Sequence, residues 1–350
     1  MGSTPLVSVI IVNINGRHHL AKCLPAVTRL DYDNYEVIVV DNDSLDGSPA
    51  YIAQHFPSVR VIESSTNLGY AGANNLGFLL ARGDYLAVLN PDTIVEDRWL
   101  SELVKALEAN PNAGLATSKI FMMDDPSRIN ACGNQITVSG ITYCRGVGSP
   151  AIEFAAEEDV TAVSGAAFII RRSVLEEVGP FDQNFFTYLE ETDLSLRAML
   201  AGYKCLYVPT SKVYHKYNFE LRFSEQKCFH IEKNRYFMLA KSFQPRTLVL
   251  ISPILLFTEL LVWGYLTLKG PRFMRQKLLS YLWLWHNRGT IKATHARTQK
   301  TRRLSDKALF QKLTPQIQFE QMAKGAQAKF LYGLTAPIFS GLSKLSLKFV

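Results

Sequence analysis

The sequence predicts an α/β fold with a mostly parallel central sheet, followed by a helical, basic C-terminal region, and three observations predict it. From Leu6 to Leu89, short β-branched runs alternate with helix-like stretches in the order β-α-β-α-β-α-β. That order implies a parallel sheet with helices on both faces. The strand-like runs stop at loops rich in Asn, Asp and Gly, at the place where open α/β sheets put their ligands. The charge is also divided. Residues 241–350 carry 18 Lys+Arg against 3 Asp+Glu, whereas residues 1–240 carry 20 against 28. An acidic front and a basic tail predict two parts with different surroundings, bounded near residue 240.

Bulk composition narrows the class. With 350 residues, 47% hydrophobic and 20% charged, the chain has the make-up of a globular protein with one large domain and an appendage. Its five cysteines are odd in number and lack C-x-x-C spacing, which argues for a reducing compartment and against a disulfide scaffold or a zinc site. Met1 to Pro5 show no basic n-region with an apolar core behind it, so no signal peptide is read and the front part is expected in the cytoplasm.

Leu6 to Val12 reads as a strand, Asn13 to Gly16 as a loop, and the next stretch as a helix with Leu20, Leu24, Val27 and Leu30 on one face. A second strand, Tyr35 to Val40, runs into Asp41-Asn42-Asp43-Ser44-Leu45-Asp46-Gly47-Ser48. These residues suit a plain turn, and a strand-end carboxylate among them also suits hydrogen bonds from a nucleobase or ribose. A helix from Pro49 to His55 and a strand from Val59 to Glu63 follow. In Asn67 to Asn75, the small residues Gly69, Ala71, Gly72 and Ala73 allow either a ligand at a helix start or close helix–sheet packing. Neither this loop nor the first one is G-x-G-x-x-G, which weakens a dinucleotide dehydrogenase reading.

The run Leu86 to Leu89 has the length of a buried strand and ends at Asn90-Pro91-Asp92. Asp92 just beyond the strand is placed to hold a divalent metal on a diphosphate; as an ordinary turn residue it would cap the following helix. A helix from Asp97 to Ala109 and a strand from Gly114 to Met122 come next, and residues 123–160 read as irregular, a loop or hairpin shaping the acceptor side. Ser164 to Arg172 is a strand whose Gly165 and Ala166 let a bulky substrate lie on the backbone. Glu190, Glu191 and Asp193 precede a short helix stopped by Gly202. Helix capping accounts for one or two acids; three in four positions point to a general base among them. Lys204 to Pro209 is a further strand, and His215 beyond it is either an imidazole metal ligand or a surface histidine.

Taken together, Val7 to Asn13, Val39 to Ser44, Asn67 to Asn74, Asn90-Pro91-Asp92, Gly165 to Phe168 and Tyr188 to Leu194 resemble the GT-A glycosyltransferases of family 2, particularly the rhamnosyltransferase-like branch, over roughly residues 5–240. Each piece is weak alone; six in the family's order are specific. The resemblance implies a GT-A catalytic domain over 1–240 that transfers a sugar, with inversion, from a nucleotide diphosphosugar such as dTDP-rhamnose or a UDP-sugar. Mg²⁺ or Mn²⁺ would bridge the diphosphate. Asp41 would contact the base, Asp43 the nucleoside region and Asp92 the metal. Asn13, Asn67, Gly69, Gly72, Asn90 and Gly165 fall in the matching donor-site segments. The family's D-x-D is here Asn90-Pro91-Asp92, one carboxylate fewer, and its Glu-Asp pair is here Glu190-Glu191. Glu191 is then the base, with Asp193 as the fallback. A Gln-x-x-Arg-Trp box is replaced by Glu232-Lys233-Asn234-Arg235-Tyr236, favouring a single-sugar transferase over a polymer synthase. There Lys233 and Arg235 meet phosphate or lie on a solvated helix face.

In the tail, Thr247 to Leu268 is the most apolar run, broken by Pro253 and Glu259. Its length approaches the ~20 residues a bilayer span needs. A single span would nevertheless carry the 12 Lys+Arg between Lys269 and Lys312 to the outer side, against the positive-inside tendency. The expectation is a region lying on or re-entering the cytoplasmic face of an anionic membrane, with Leu278 to Trp285 beside it; a buried helix of a homo-oligomer is the other reading. No nucleic-acid module accompanies the charge, and the acceptor expected from this location is a glycan or polyprenyl-linked sugar in cell-surface polysaccharide or glycolipid synthesis. Two further classes stay open: a sugar nucleotidyltransferase, for which Asn13 to Arg17 is a poor phosphate loop, and an inactive nucleotide-sugar-binding scaffold.

Overall fold

The computed structural model describes residues 4–216, 223–319 and 326–350, so the reading of Met1 to Pro5 lies partly outside the described residues. Two compact units share the chain: Met1–Asn134, Cys144–Ala198 and Tyr203–Tyr217 form one, and Gln135–Tyr143, Met199–Gly202 and Asn218–Val350 the other.

The first unit is built by the expected alternation. β1 (Val7–Asn13), α1 (Arg17–Val27), β2 (Tyr35–Asn42), α2 (Ser48–His55), β3 (Arg60–Ser64), α3 (Gly69–Leu80) and β4 (Tyr85–Leu89) follow in order. All seven residues of β1 are buried, as a run of β-branched side chains covered on both faces requires. β5 (Thr93–Val95), α4 (Trp99–Ala109) and β6 (Ala113–Met122) come next. Trp99 is fully buried against this sheet, and its indole nitrogen donates to Ser118 Oγ at 3.0 Å, giving the ring's one polar atom a partner.

The region read as irregular has its own short strands: β7 (Ile129–Ala131), β8 (Asn134–Ile136), β9 (Thr142–Cys144) and β10 (Glu158–Val160), with β8 and β9 paired as a separate two-stranded sheet. Three-residue strands fall below the length at which alternation shows in a sequence. β11 (Ala167–Arg171), α5 (Arg172–Val178), α6 (Glu190–Leu200) and β12 (Lys204–His215) complete the order. In the main sheet the order is β10-β12-β6-β11-β4-β1-β2-β3. The β4-β1-β2-β3 half is parallel, and β11 enters antiparallel between β4 and β6.

Two boundaries differ from expectation. α6 starts at Glu190, so the acids occupy its first turn instead of preceding it. β12 continues through a register shift after Val208 to His215, where a strand ending at Pro209 was expected. The shift absorbs Pro209, which a regular ladder would not accommodate.

The second unit holds α7 (Glu225–Ser242), α8 (Pro245–Leu250), α9 (Ser252–Lys269), α10 (Pro271–His286), α11 (Arg288–Lys300), α12 (Asp306–Lys312) and α13 (Ala326–Leu347). The apolar run 247–268 is divided between α8 and α9, and among the described residues no helix is long and apolar enough to cross a membrane. Glu259, which interrupts that run, is the anchor of a buried charge cluster. It bonds Arg235 of α7, Lys277 of α10 at 2.9 Å, and the hydroxyls of Tyr236 and Tyr281. Glu232 bonds the same two cations, Arg235 at 2.8 Å and Lys277. Two acids and two bases thus balance inside the bundle, which is what makes their burial tolerable. Arg235 is 1% exposed and Lys233 3% exposed. Neither lies on the solvated helix face that the sequence allowed, because tertiary ion pairing and packing leave no trace in local spacing.

Candidate active site

The carboxyl ends of β1, β2 and β4 carry the polar loops, all in the first unit. Asn13 closes β1, and its amide donates to Asp41 Oδ1 at 3.0 Å and to Ser44 Oγ at 3.2 Å. The other Asp41 oxygen accepts from the Ser44 backbone N–H at 3.0 Å. Asp41 is 3% exposed, so its first duty is to tie the β1 and β2 loops together. Asp43 beside it is exposed and takes a left-handed φ of 71°. Asn13 Oδ1 is buried with no partner among the described residues, a polar atom that an incoming ligand would satisfy.

Asn42 fixes the next loop by donating to Asn67 Oδ1 at 3.0 Å and accepting from the Leu68 N–H at 2.8 Å. Gly69 has φ +69°, and a Cβ there would lie 2.4 Å from the Phe186 carbonyl oxygen. A Cβ on Gly72 would lie 2.9 Å from that of Leu68. Both glycines are tightly packed within the protein, against Phe186 and against the helix's own N-cap, and not against the sheet.

Tyr70 joins two more segments. Its hydroxyl donates to Gly165 O at 2.7 Å and lies 3.2 Å from Asn90 Oδ1. Gly165 in turn abuts Glu191: a Cβ built on it would stand 3.4 Å from the Glu191 carboxyl carbon. The phenol is held well above its usual pKa, first by burial and then by the field of Glu190, Glu191 and Asp92. Asn90, Gly165 and Glu191, distant in the chain, are thereby linked through one tyrosine and its glycine partner.

Glu191 is half-buried, and one oxygen accepts from Asn134 Nδ2 and from Thr192 Oγ1, both at 3.2 Å. Burial outweighs these donors and raises its pKa above the usual carboxylate range. The turn before it is strained: Phe186, Tyr188 and Leu189 all have φ between 64° and 70°. Bulky residues pay for that conformation, and such outliers cluster where a side chain must be aimed. Asp193 is placed differently. It is fully buried and pairs with Arg197 Nε at 2.8 Å, while Arg197 donates to the carbonyls of Val178, Gly179 and Pro180. Its carboxylate anchors α6, so the structure does not bring it forward as the fallback base. Glu190, 4% exposed, remains within electrostatic reach of Tyr70 and Tyr188.

Asp92 and His215 do meet. β5 pairs antiparallel with the end of β12, setting His215 opposite Thr93. His215 Nε2 lies 3.3 Å from Asp92 Oδ1, and its Nδ1 lies 3.1 Å from Asn130 Oδ1. That second contact orients the ring as outer-shell carbonyls orient metal-ligating histidines. Burial pushes the Asp92 carboxyl up, but the His215 hydrogen bond and the charges of His215 and His19 prevail and hold it below the usual range. One oxygen and one imidazole nitrogen suit a divalent ion that also binds phosphate oxygens. Among the described residues there is no group of three His, Cys, Asp or Glu that would hold an ion alone. An ion here would draw the balance of its coordination from a diphosphate.

Sequence reasoning missed His19, Asn130 and Asn134. The last two sit in the stretch read as irregular, and nothing in their spacing marks them. Tyr70 lies inside the Asn67 to Asn75 segment, and its aromatic hydroxyl between small residues was the available signal.

Residues 8–179 match the model for glycosyl transferase family 2. Over 236 residues the chain is 29% identical to the N-acetylglucosaminyl-diphospho-decaprenol L-rhamnosyltransferase of Mycobacterium tuberculosis, covering 61% of this chain and 76% of that one. It is 29% identical to the uncharacterized protein y4gI of Sinorhizobium fredii, of which it spans a quarter of the length (25%, against 61% of this chain). Among solved structures, GalNAc-T7 with UDP, GalNAc and Mn²⁺ superposes with a TM-score of 0.55 at 19% identity, over 68% of this chain and 48% of that one, a likeness of fold.

Proposed function

We propose that this chain, whose residues 8–179 match the model for glycosyl transferase family 2, is an inverting glycosyltransferase. Its donor is a nucleotide diphosphosugar, dTDP-rhamnose or a UDP-sugar, and its acceptor a glycan or a polyprenyl-linked sugar. The named activity of the mycobacterial relative supports the lipid-linked choice. The observation that carries the proposal is the convergence around Tyr70: Asn90 of the Asn-Pro-Asp turn and Gly165, which packs on Glu191, share one hydroxyl.

Glu191 is the general base. A carboxylate whose pKa is raised by burial holds a proton better than an ordinary one, which brings it nearer to neutral working pH. It takes the proton from the acceptor hydroxyl as that oxygen bonds to the anomeric carbon. The bond from that carbon to the diphosphate oxygen breaks on the opposite face, and its electron pair leaves with the nucleoside diphosphate. Asn134 and Thr192 hold the Glu191 carboxylate in place. Asp92 and His215 would hold Mg²⁺ or Mn²⁺, which when bound neutralises charge on the departing diphosphate. Asn13 and Asp41 fix the loops on which the nucleoside lies.

A thermal-shift screen of nucleoside diphosphates and their sugars, with and without Mn²⁺, tests the donor class. A shift for one nucleotide sugar that requires the metal is expected. A chain that responds to no nucleotide with or without Mn²⁺ would falsify the reading.

A further inference from the structure

α9 presents an outward stripe at Pro253, Leu256, Leu260, Gly264 and Thr267, the spacing of one helix face, with Leu268 beside it. Leu256 is 65% exposed and Leu260 72%. A helix facing water ordinarily carries charge there. The sole acid of α9, Glu259, is turned inside to Arg235 and Lys277, and Lys269 stands at the very end. α13 repeats the pattern with Phe330, Leu334, Ile338 and Leu345, all exposed, and its range contains no acid at all. The two helices are neighbours, with the Phe257 and Phe339 rings 5.0 Å apart, and Ser346 of α13 also donates to the carbonyl of Leu250 at the end of α8 at 3.3 Å. Single exposed leucines need no explanation, but aligned stripes on adjacent helices do. The cations at their margins, Lys269, Lys329, Lys344 and Lys348, are exposed, and Arg288, Lys292 and Lys300 line the outside of α11.

We propose that the outward stripes of α9 and α13 form the surface by which this chain docks on an anionic bilayer, lying at the boundary of head groups and acyl chains without crossing. Apolar stripes rimmed by lysines and empty of acids match that occupant in both hydrophobicity and charge. The inference stands apart from the donor site, and its test needs no catalysis.

The test is co-sedimentation of the full chain with vesicles of phosphatidylcholine alone or mixed in equal parts with phosphatidylglycerol. Binding to the mixed vesicles that weakens with salt is expected. The paired substitutions Leu260→Glu and Leu334→Glu should lower it by on the order of tenfold or more, with thermal stability and donor-induced shifts unchanged. Leu260→Ser with Leu334→Ser, which adds no charge, should lose binding in the same direction, and it serves also if the glutamates impair folding. Failure of the wild-type chain to bind mixed vesicles, or retention of binding in both variants, overturns the proposal. A wild-type dimer that dissociates in the variants without any vesicle binding assigns the face to a second copy, and overturns it too.

Discussion

Glu191 in the first unit and Glu259 in the second are both carboxylates drawn out of water, yet their acidities move in opposite directions. Burial raises both. Around Glu191 it meets only neutral donors, Asn134 and Thr192, and it prevails. Around Glu259 it meets Arg235 and Lys277 together with two tyrosine hydroxyls, and the carboxyl falls to about 2. The same desolvation therefore leaves a carboxyl with a raised pKa in one place and a strongly acidic one in the other, according to whether a cation shares the site. Asp193 in the first unit is likewise paired with a cation, Arg197.

The contrast has measurable consequences. Glu191→Gln should reduce sugar transfer about a hundred- to ten-thousand-fold while donor-induced thermal shifts persist; full activity in the variant would move the base elsewhere. Glu259→Gln leaves Arg235 and Lys277 sharing only Glu232 and should destabilise the fold by about 3–5 kcal/mol in urea unfolding. Because its folded pKa lies below the unfolded value, the stabilisation by Glu259 is present above the ordinary Glu pKa and fades as pH falls towards 2. The gap between wild type and variant should close over that window, and a pH-independent gap would contradict the ionic account.

His215→Ala should raise the Mn²⁺ concentration needed for a donor-induced shift by about 10–100-fold, read by titration of the metal at fixed nucleotide. The smallest effect has the opposite sign to the second. The folded pKa of Glu191 is raised, so its ionisation opposes folding: stability is fullest below the ordinary Glu pKa and declines as pH rises through the raised one. Glu191→Gln removes that cost and should stabilise the chain at neutral pH by up to about 1 kcal/mol, with no gain in acid. A melting temperature lowered at neutral pH would refute the assignment of burial as the cause.

Much of the β1 to β4 half was legible in the sequence because its information is local. Strand runs such as Val7–Asn13 and Tyr85–Leu89 are short, apolar and bounded by turn residues, and these features alone fix elements and their order. The Asn-Pro-Asp turn at a strand end and the acids ahead of Leu194 are likewise visible as patterns. The stretch 123–160 was not legible, since β7 to β10 are three residues each and are held by partners elsewhere in the chain.

By itself, then, the sequence determined the alternating α/β plan, the family its motifs resemble and the uneven charge, all written in periodicity and composition. Only the tertiary structure decided which acids serve which purpose. It set His215 opposite Thr93 through the β5–β12 register, gave Asp193 to Arg197, and enclosed Glu259 among cations. The reason is physical: a carboxylate's pKa and partners depend on what lies within a few ångströms in space, and pairs separated by tens or hundreds of residues leave no mark on the neighbouring letters.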